Sequence, residues 1–393
     1  MTRSLGFLMV GVLVLAAGAA GAYDGMVEKK TFAMPSYTTV NGQTIKNVKV
    51  GYETYGTLNA AKDNVIVICH FYSGNSHAAG KYAAADAARG YWDTIVGAGK
   101  PIDTDKFFVI SSDTLVNLNT KDPRTITTGP ASINPDTGKP YGMTFPIVTM
   151  RDFVNVQKAL VDSLGITKLH AVMGASMGAL QTWEWAAAYP DMVPRIVPVI
   201  GTAEIGPYAI EWLNIWGAPI LMDPKWNQGD YYGKDEPTEG LALALRMVTI
   251  HARHYGWANT TFGRRWAAAD RDPGKSWDNK YAVEDAIDKA AAGRARSADA
   301  NSFLYLAKAN QLFVVGHKGT LEEGLKGVRA KALVIPATSD LLLFPEYSRQ
   351  AVELLKNDGK SVEYVEIPGD GGHLDGVLAV GKQGEAIRKF LSQ

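Results

Sequence analysis

The sequence predicts an α/β protein in which a mostly parallel central sheet carries helices on both faces and a helical lid is inserted between two strands. Six short apolar runs alternate with helical segments, as is typical of parallel strands that are covered on both sides. The alternation stops between residues 204 and 326, where only helical patterns occur. A serine between two glycines marks a point where one strand turns directly into a helix. These three observations predict the fold class.

The first 22 residues have the layout of a secretory signal peptide. Arg3 precedes an apolar run from Leu5 to Ala16, and small residues that end in Ala22 follow it. The apolar run is short for a full membrane span, and no cysteine follows it that could carry a lipid. We predict cleavage after Ala22, export to the periplasm or the exterior, and no stable membrane anchor afterwards. An uncleaved N-terminal anchor is the alternative.

The charge balance favours a small-molecule partner. The chain has 40 Lys and Arg against 40 Asp and Glu, so it lacks the basic excess of proteins that bind nucleic acids or anionic membranes. The segment "GAGK" at 97–100 lacks the spacing and the following Ser or Thr of a phosphate-binding loop. Cys69 is the one cysteine and lies in an apolar run, which predicts a buried apolar residue. We predict no cofactor.

The strands and helices follow from periodicity. The segment "TVNGQTIKNVKVGYETYG" alternates polar and apolar residues around Asn41 and Gly42, which predicts an antiparallel pair. Helical spacing precedes Gly165 and Gly359, and recurs at the end of the chain. The six apolar runs are 64–70, 107–113, 169–174, 195–201, 332–340 and 362–369.

A lid interrupts the core between two of these runs. We predict core segments at 23–203 and 327–393, with the lid at 204–326. Six of the nine tryptophans lie in the lid. They predict either an aromatic wall over a binding pocket or simply the core of a helical subdomain.

The glycine-flanked serine is the most informative motif. Gly174, Ser176 and Gly178 form a G-x-S-x-G pentapeptide that follows a predicted strand and begins a predicted helix. This is the context of the nucleophile elbow of the α/β-hydrolase fold, in which a strained turn exposes the serine at the sheet edge. A chance Gly/Ser turn would not require that order of elements. Ser176 is therefore the predicted nucleophile.

A serine nucleophile needs a base and an acid, which follow it in this fold in the order Ser, acid, His. Asp340 lies just past a predicted strand, at the same sheet edge as Ser176. His373 lies in a glycine-rich loop after the last strand. We predict Ser176, Asp340 and His373 as the triad. The rival acids share the histidine's own strand or loop and are poorly placed to orient it; they are Glu366, Asp370 and Asp375.

The oxyanion hole is predicted from two backbone amides. One belongs to Met177, directly after the nucleophile, and the other to the loop after the third strand, where we choose Tyr72.

The remaining histidines compete poorly with His373. His70, in the same loop as Tyr72, could be a base, but packing beneath the loop is the simpler interpretation. His251 and His254 could form a metal pair, but no carboxylate stands at ligand spacing, so no metal is predicted. His170 and His317 are interpreted as structural.

These residues resemble the homoserine O-acetyltransferase family, an α/β-hydrolase branch, over nearly the whole chain after residue 22. The most specific segments are "CHFYSGNSHAAG", "INPDTGKPYG", "DPKWNQGDY" and "SDLLLFP". The resemblance implies the same triad, a helical lid and a homodimer formed through that lid.

Two departures concern the acceptor amino acid. The family pattern has an arginine where this chain has Gly217, and an aspartate after the catalytic histidine where this chain has Leu374. A site for zwitterionic homoserine needs both charges. Export argues in the same direction, because acetyl-CoA is a cytoplasmic metabolite. A third departure replaces a glycine-rich stretch with "NLNTKDPRTI".

The sequence therefore predicts an exported serine hydrolase that cleaves esters or related acyl compounds through an acyl-enzyme. An acyltransferase of the homoserine O-acetyltransferase type is the alternative, because a closed pocket that excludes water can favour transfer. A non-catalytic binding protein on the same fold is a minor alternative.

Overall fold

A computed structural model describes residues 23–393. The predicted signal peptide lies outside these residues. The central sheet has eight strands, and we label them in chain order. They are β1 (Lys30–Thr38), β2 (Thr44–Tyr55), β3 (Val65–Cys69), β4 (Phe108–Ser112), β5 (Ala171–Ala175), β6 (Arg195–Val199), β7 (Lys331–Val334) and β8 (Val362–Tyr364).

The strand order across the sheet is β1-β2-β4-β3-β5-β6-β7-β8. Strand β2 pairs antiparallel with both β1 and β4, and every other neighbouring pair is parallel. The predicted hairpin around Asn41 and Gly42 is the β1–β2 connection. The mostly parallel sheet of the predicted fold class is confirmed.

Helices and short turns connect these strands. The helices are α1 (Met150–Ser163), α2 (Met177–Ala188), α3 (Pro207–Met222), α4 (Thr238–His251), α5 (Tyr255–Thr261), α6 (Ala282–Ala295), α7 (Ala300–Gln311), α8 (Leu321–Lys326), α9 (Pro345–Asn357), α10 (Asp375–Leu378) and α11 (Gly384–Leu391). Two short strand pairs lie outside the main sheet, Val96–Gly97 with Ile102–Asp103 and Ile133–Asn134 with Lys139–Pro140.

Both faces of the sheet are covered, as the apolar runs predict. In β3, Val65, Val67 and Cys69 face a core that α1 and α2 share. Ile66 and Ile68 face a second core that includes Phe390 and Leu391 near the end of the chain. Successive strand residues point to opposite faces, so burial on both sides requires an uninterrupted apolar run. The burial of Cys69 confirms its interpretation as an apolar residue.

The lid lies between β6 and β7. Helices α3, α4, α6 and α7 pack on one another there, and the segment adds no strand to the main sheet. Helix α4 ends at His251, beside the loop that carries His373, where the Leu374 amide donates to the Ala252 carbonyl at 3.3 Å. The lid therefore touches the predicted site directly. Among residues 23–393, no helix is both long and apolar enough to cross a bilayer.

Candidate active site

The strand β5 and the helix α2 meet at Ser176, which has φ +56° and ψ −121°. Few non-glycine residues adopt this backbone conformation, and such strain persists only where the surroundings enforce it. A Cβ on Gly174 would lie 2.5 Å from the Gly178 carbonyl oxygen, and one on Gly178 would lie 2.1 Å from that of Cys69. Only glycine fits at these two positions. The G-x-S-x-G pattern thus follows from the close approach of β3 and β5 to the start of α2.

The structure brings Ser176, His373 and Asp340 together. His373 Nδ1 lies 2.7 Å from Asp340 Oδ2, and His373 Nε2 lies 2.7 Å from Ser176 Oγ. An ionised carboxylate only accepts hydrogen bonds, so Nδ1 carries the proton and Nε2 is free to accept one from the serine. Asp340 and His373 are buried, while Ser176 is partly exposed. This is the geometry in which a hydroxyl becomes a nucleophile.

Backbone contacts fix the two loops that carry the acid and the base. Asp340 Oδ1 accepts hydrogen bonds from the amides of Leu342 and Leu343 at 2.8 and 3.0 Å. The Gly372 amide donates to Ser339 Oγ at 3.0 Å. Gly372 has φ +75°, and a Cβ there would lie 2.6 Å from the His254 nitrogen of the lid. The glycine-rich loop therefore allows His373 to fit between the sheet edge and the lid.

The rival acids make other contacts. Glu366 accepts hydrogen bonds from Arg349 and from the Tyr364 hydroxyl, at 2.6 and 2.5 Å. Asp375 accepts from the Gly371 amide at 3.0 Å. Asp340 is the carboxylate that the structure places against His373.

The predicted oxyanion amides lie on two elements beside Ser176. Met177 is the first residue of α2, where a helix leaves its amides unpaired. Tyr72 follows β3, and its hydroxyl donates to the Phe303 carbonyl of the lid at 2.5 Å. Within residues 23–393, neither the Met177 nor the Tyr72 amide donates to another group. Both remain available to an anion.

An apolar cavity of about 80 Å³ opens beside Ser176 and His373. It is smaller than the roughly 300–1,000 Å³ of common ligand pockets. Within the described part of the chain, none of its lining residues is Asp, Glu, Lys or Arg. Representative wall residues are Ile205, Leu213, Trp216, Val248, Leu343 and Leu374.

The lid tryptophans do not share one environment. Trp212 and Trp216 line the cavity, which agrees with the pocket interpretation for these two. Trp266 and Trp277 are exposed, and Trp277 fully so. The abundance of tryptophan in the lid is therefore only partly explained by the pocket.

His251 also lines the cavity and packs against Trp212, with ring centroids 4.2 Å apart and ring planes inclined at 39°. Burial lowers the pKa of His251 to about 4, so the side chain is uncharged at neutral pH. His254 Nδ1 accepts from the Gly256 amide at 3.1 Å and caps α5. These two histidines have separate structural surroundings. His170 bonds the Leu391 carbonyl at 2.8 Å, consistent with a structural residue.

His70 predicts a measurable acid sensitivity of the fold. Burial lowers its pKa to about 4, below the ordinary value of 6.5. The unfolded chain then binds more protons than the native chain between these two values, so stability falls as pH drops from about 6.5 to about 4. His70 alone should lower the free energy of unfolding by about 3 kcal/mol over this pH range. Urea unfolding at several pH values should show a shallower pH slope for His70→Asn than for the wild type; equal slopes would contradict this.

Comparison with known proteins identifies the family. A sequence model of the alpha/beta hydrolase fold family matches residues 64–379. A homoserine O-acetyltransferase of Methanococcoides burtonii is 41% identical, over 89% of this chain and 70% of that protein. The chain belongs to the homoserine O-acetyltransferase family of α/β-hydrolase-fold enzymes. The crystal structure of homoserine O-acetyltransferase from Bacillus anthracis has a TM-score of 0.90 and 40% identity, covering 94% of this chain and 98% of that one.

The names within this family do not agree on one reaction. The crystal structure of esterase E22 matches with a TM-score of 0.89 and 51% identity, and covers 93% of this chain and all of that one. The curated relatives carry the transferase name, which favours the alternative of acyl transfer over the predicted hydrolase. The resemblance found in the sequence is confirmed.

The structure separates the two positions at which this chain departs from the family pattern. Leu374 lines the cavity beside Ser176. Gly217 lies on α3 and lines a different cavity, where an added Cβ would come 2.9 Å from Leu304 Cδ2. Of these two residues, only Leu374 lines the cavity beside Ser176. Gly217 lies one helical turn after Leu213, which lines both cavities.

Proposed function

We propose that this enzyme hydrolyses esters of short acyl groups through an acyl-enzyme on Ser176. The observation that carries the proposal is the cavity beside the serine, which is small, apolar and lined by no Asp, Glu, Lys or Arg among the described residues. Such a wall suits an acyl chain and offers an amino-acid acceptor no charge to pair with.

The triad supplies the proton transfers. As Ser176 Oγ attacks the ester carbonyl, His373 Nε2 takes its proton, and Asp340 stabilises the resulting imidazolium. The carbonyl oxygen becomes an oxyanion, which the amides of Tyr72 and Met177 stabilise. His373 then gives its proton to the leaving alcohol. Water attacks the acyl-enzyme by the same steps in reverse, and this releases the acid and restores Ser176.

The acceptor decides between hydrolysis and transfer. Homoserine carries an ammonium and a carboxylate, and placing both in an apolar site costs free energy unless each finds a partner. Leu374 offers an isobutyl group where the family pattern has an anion, and His251 is uncharged at neutral pH. Water needs no charged partner. The cavity wall thus favours hydrolysis, and so does the export that the N-terminal sequence predicts.

The comparisons support each reaction in part. The solved structure at 51% identity is an esterase, which supports hydrolysis. Homoserine acetyl transfer is the second candidate, because the curated relatives near 40% identity are named for it. A small pocket closed by a lid can also disfavour water.

A competition assay distinguishes the two candidates. We expect the enzyme without residues 1–22 to hydrolyse p-nitrophenyl acetate, and to form O-acetylhomoserine at under about 1% of that rate when acetyl-CoA and homoserine are supplied. The physical reason is differential desolvation of the acceptor in the transition state. Product is measured by mass spectrometry. Saturable O-acetylhomoserine formation that outcompetes hydrolysis would overturn the hydrolase proposal in favour of the transferase.

Leu374→Asp and Leu374→Asn form a matched pair for the same question. The two side chains have nearly the same size, so only the charge differs. We expect Leu374→Asp to raise the ratio of transfer to hydrolysis above that of Leu374→Asn, because the new anion can pair with the homoserine ammonium. Equal ratios for the two variants would show that the charge at position 374 does not determine the choice between homoserine and water.

A further inference from the structure

His70 is a buried polar residue that the triad does not use. It directly follows β3 and is fully buried. Its Nδ1 lies 2.8 Å from the carbonyl oxygen of Phe71, and its Nε2 lies 3.3 Å from Thr114 Oγ1 and 3.4 Å from Asn117 Nδ2. A carbonyl oxygen only accepts hydrogen bonds, so Nδ1 must carry the proton and donate.

We propose that His70 positions the oxyanion hole by fixing the peptide unit between Phe71 and Tyr72. A trans peptide is planar, and its C=O and N–H point in opposite directions. The hydrogen bond that holds the Phe71 carbonyl therefore also sets the direction of the Tyr72 N–H. The Gly74 amide donates to the same carbonyl at 2.9 Å, so two donors hold one side of the peptide while the other side stays free for substrate.

The protonation state of His70 agrees with this role. Burial lowers its pKa to about 4, so the ring is neutral at neutral pH. The neutral ring keeps its single proton on Nδ1, and Nε2 accepts from the Thr114 hydroxyl or the Asn117 amide. Both nitrogens are engaged away from Ser176, which excludes the interpretation of His70 as a second base.

Gln181 connects this peptide to the other half of the oxyanion hole. Its side-chain amide lies 3.3 Å from the His70 carbonyl and 3.2 Å from the Met177 carbonyl, so it bonds the end of β3 to the first turn of α2. Its own oxygen accepts from Gln157 Nε2 at 2.7 Å. The two elements that supply the predicted amides are thus held together by one buried side chain.

This inference rests on the proposed acyl chemistry, but it holds equally for hydrolysis and for acyl transfer. Each reaction passes through a tetrahedral oxyanion, which binds the hole more tightly than the ground state does. A residue that orients one amide should therefore affect kcat and leave KM nearly unchanged. A residue needed only for packing would change stability instead.

The test is the matched pair His70→Asn and His70→Gln. The Asn amide takes the place of Nδ1 and can still donate to the Phe71 carbonyl, whereas the Gln amide reaches the place of Nε2 and cannot. We expect kcat for p-nitrophenyl acetate within about 5-fold of wild type in His70→Asn and about 10²-fold lower in His70→Gln, with KM similar in both. Circular dichroism and Tm show whether each variant folds.

A second measurement does not depend on turnover. A trifluoromethyl methyl ketone adds to Ser176 as a hemiketal and places an oxyanion in the hole. We expect His70→Gln to weaken its binding by about the same factor as kcat falls, and His70→Asn to bind it almost as tightly as wild type. Equal losses in both variants, or wild-type affinity in His70→Gln, would overturn the role of His70.

The outcomes separate this inference from the proposed function. If the wild type binds the ketone but cleaves no ester, the proposed hydrolase fails, and the ketone affinities alone decide on His70. If His70→Gln does not fold, Gln181→Met removes a donor of the same network, and it should lower kcat by about 10-fold with KM nearly unchanged. Unchanged kcat in that variant would contradict the proposal.

Discussion

Replacing Ser176 with Ala is expected to lower kcat/KM for p-nitrophenyl acetate by at least about 10³-fold. The substitution removes the attacking oxygen and leaves the His373 Nε2, now 2.7 Å from Ser176 Oγ, without the hydroxyl that it activates. The fold should tolerate the change, because the side chain is small and partly exposed, and alanine experiences the same backbone strain at φ +56°. The measurement is steady-state hydrolysis, together with mass spectrometry of the enzyme for a trapped acyl group.

Ser73 provides the matched control for this experiment. It also lines the cavity, so Ser73→Ala removes a hydroxyl from the same pocket without touching the triad. We expect a change of less than about 5-fold, in line with the loss of one non-catalytic contact. If Ser176→Ala kept wild-type activity, or if Ser73→Ala cost as much, the nucleophile would have to be sought elsewhere.

The fold was predictable because its signal is local. A strand buried on both faces must be apolar at every position, and the run around β3 has this property from Val65 to Cys69. The extent of the strands was less predictable. The apolar run at 332–340 predicts a long strand, but β7 ends at Val334. Beyond it, Ala337 pairs with Ile367 only as an isolated β-bridge. Pro336 lacks an amide hydrogen, which limits how far a central strand can continue there.

The triad was predictable because position along the chain determines position on a parallel sheet. The carboxyl ends of parallel strands lie at one edge, so residues that follow β5, β7 and β8 must converge there. Ser176, Asp340 and His373 meet at this edge, over 2.7 Å hydrogen bonds. The glycine spacing around Ser176 added a second, independent signal.

The supports of the oxyanion hole were not predictable in the same way. His70 and Gln181 are single polar residues in apolar surroundings. His70 contacts both the carbonyl of the neighbouring Phe71 and the distant Asn117, and Gln181 contacts the distant His70 carbonyl. A sequence shows that such a residue is present but does not show which atom it contacts. The same limit applies to Gly217. The family pattern gives its position in the chain, but only the structure shows that it lines a cavity that shares Leu213 with the one beside Ser176.

The second large effect is expected for Asp340→Asn, which should lower kcat/KM by about 10⁴-fold. The reason lies in the way the carboxylate is held. One oxygen of Asp340 accepts from the amides of Leu342 and Leu343 at 2.8 and 3.0 Å, and the other faces His373 Nδ1 at 2.7 Å. In the asparagine variant the side-chain oxygen must remain on the two amides. The new NH₂ group then faces Nδ1.

That arrangement changes the tautomer of His373. Facing a donor, Nδ1 of His373 must become an acceptor, so the proton of the neutral ring moves to Nε2, which can no longer take the proton of Ser176. Activity is therefore lost because the His373 tautomer and the charge at position 340 change, while the geometry of the triad is kept. Glu366→Gln and Asp370→Asn are the matched controls, and each should retain activity within about 5-fold, because neither residue bonds His373. If either control lowered kcat/KM in steady-state hydrolysis more than Asp340→Asn does, that residue would be the acid of the triad. An acid that does not orient His373 cannot have so large an effect on kcat/KM.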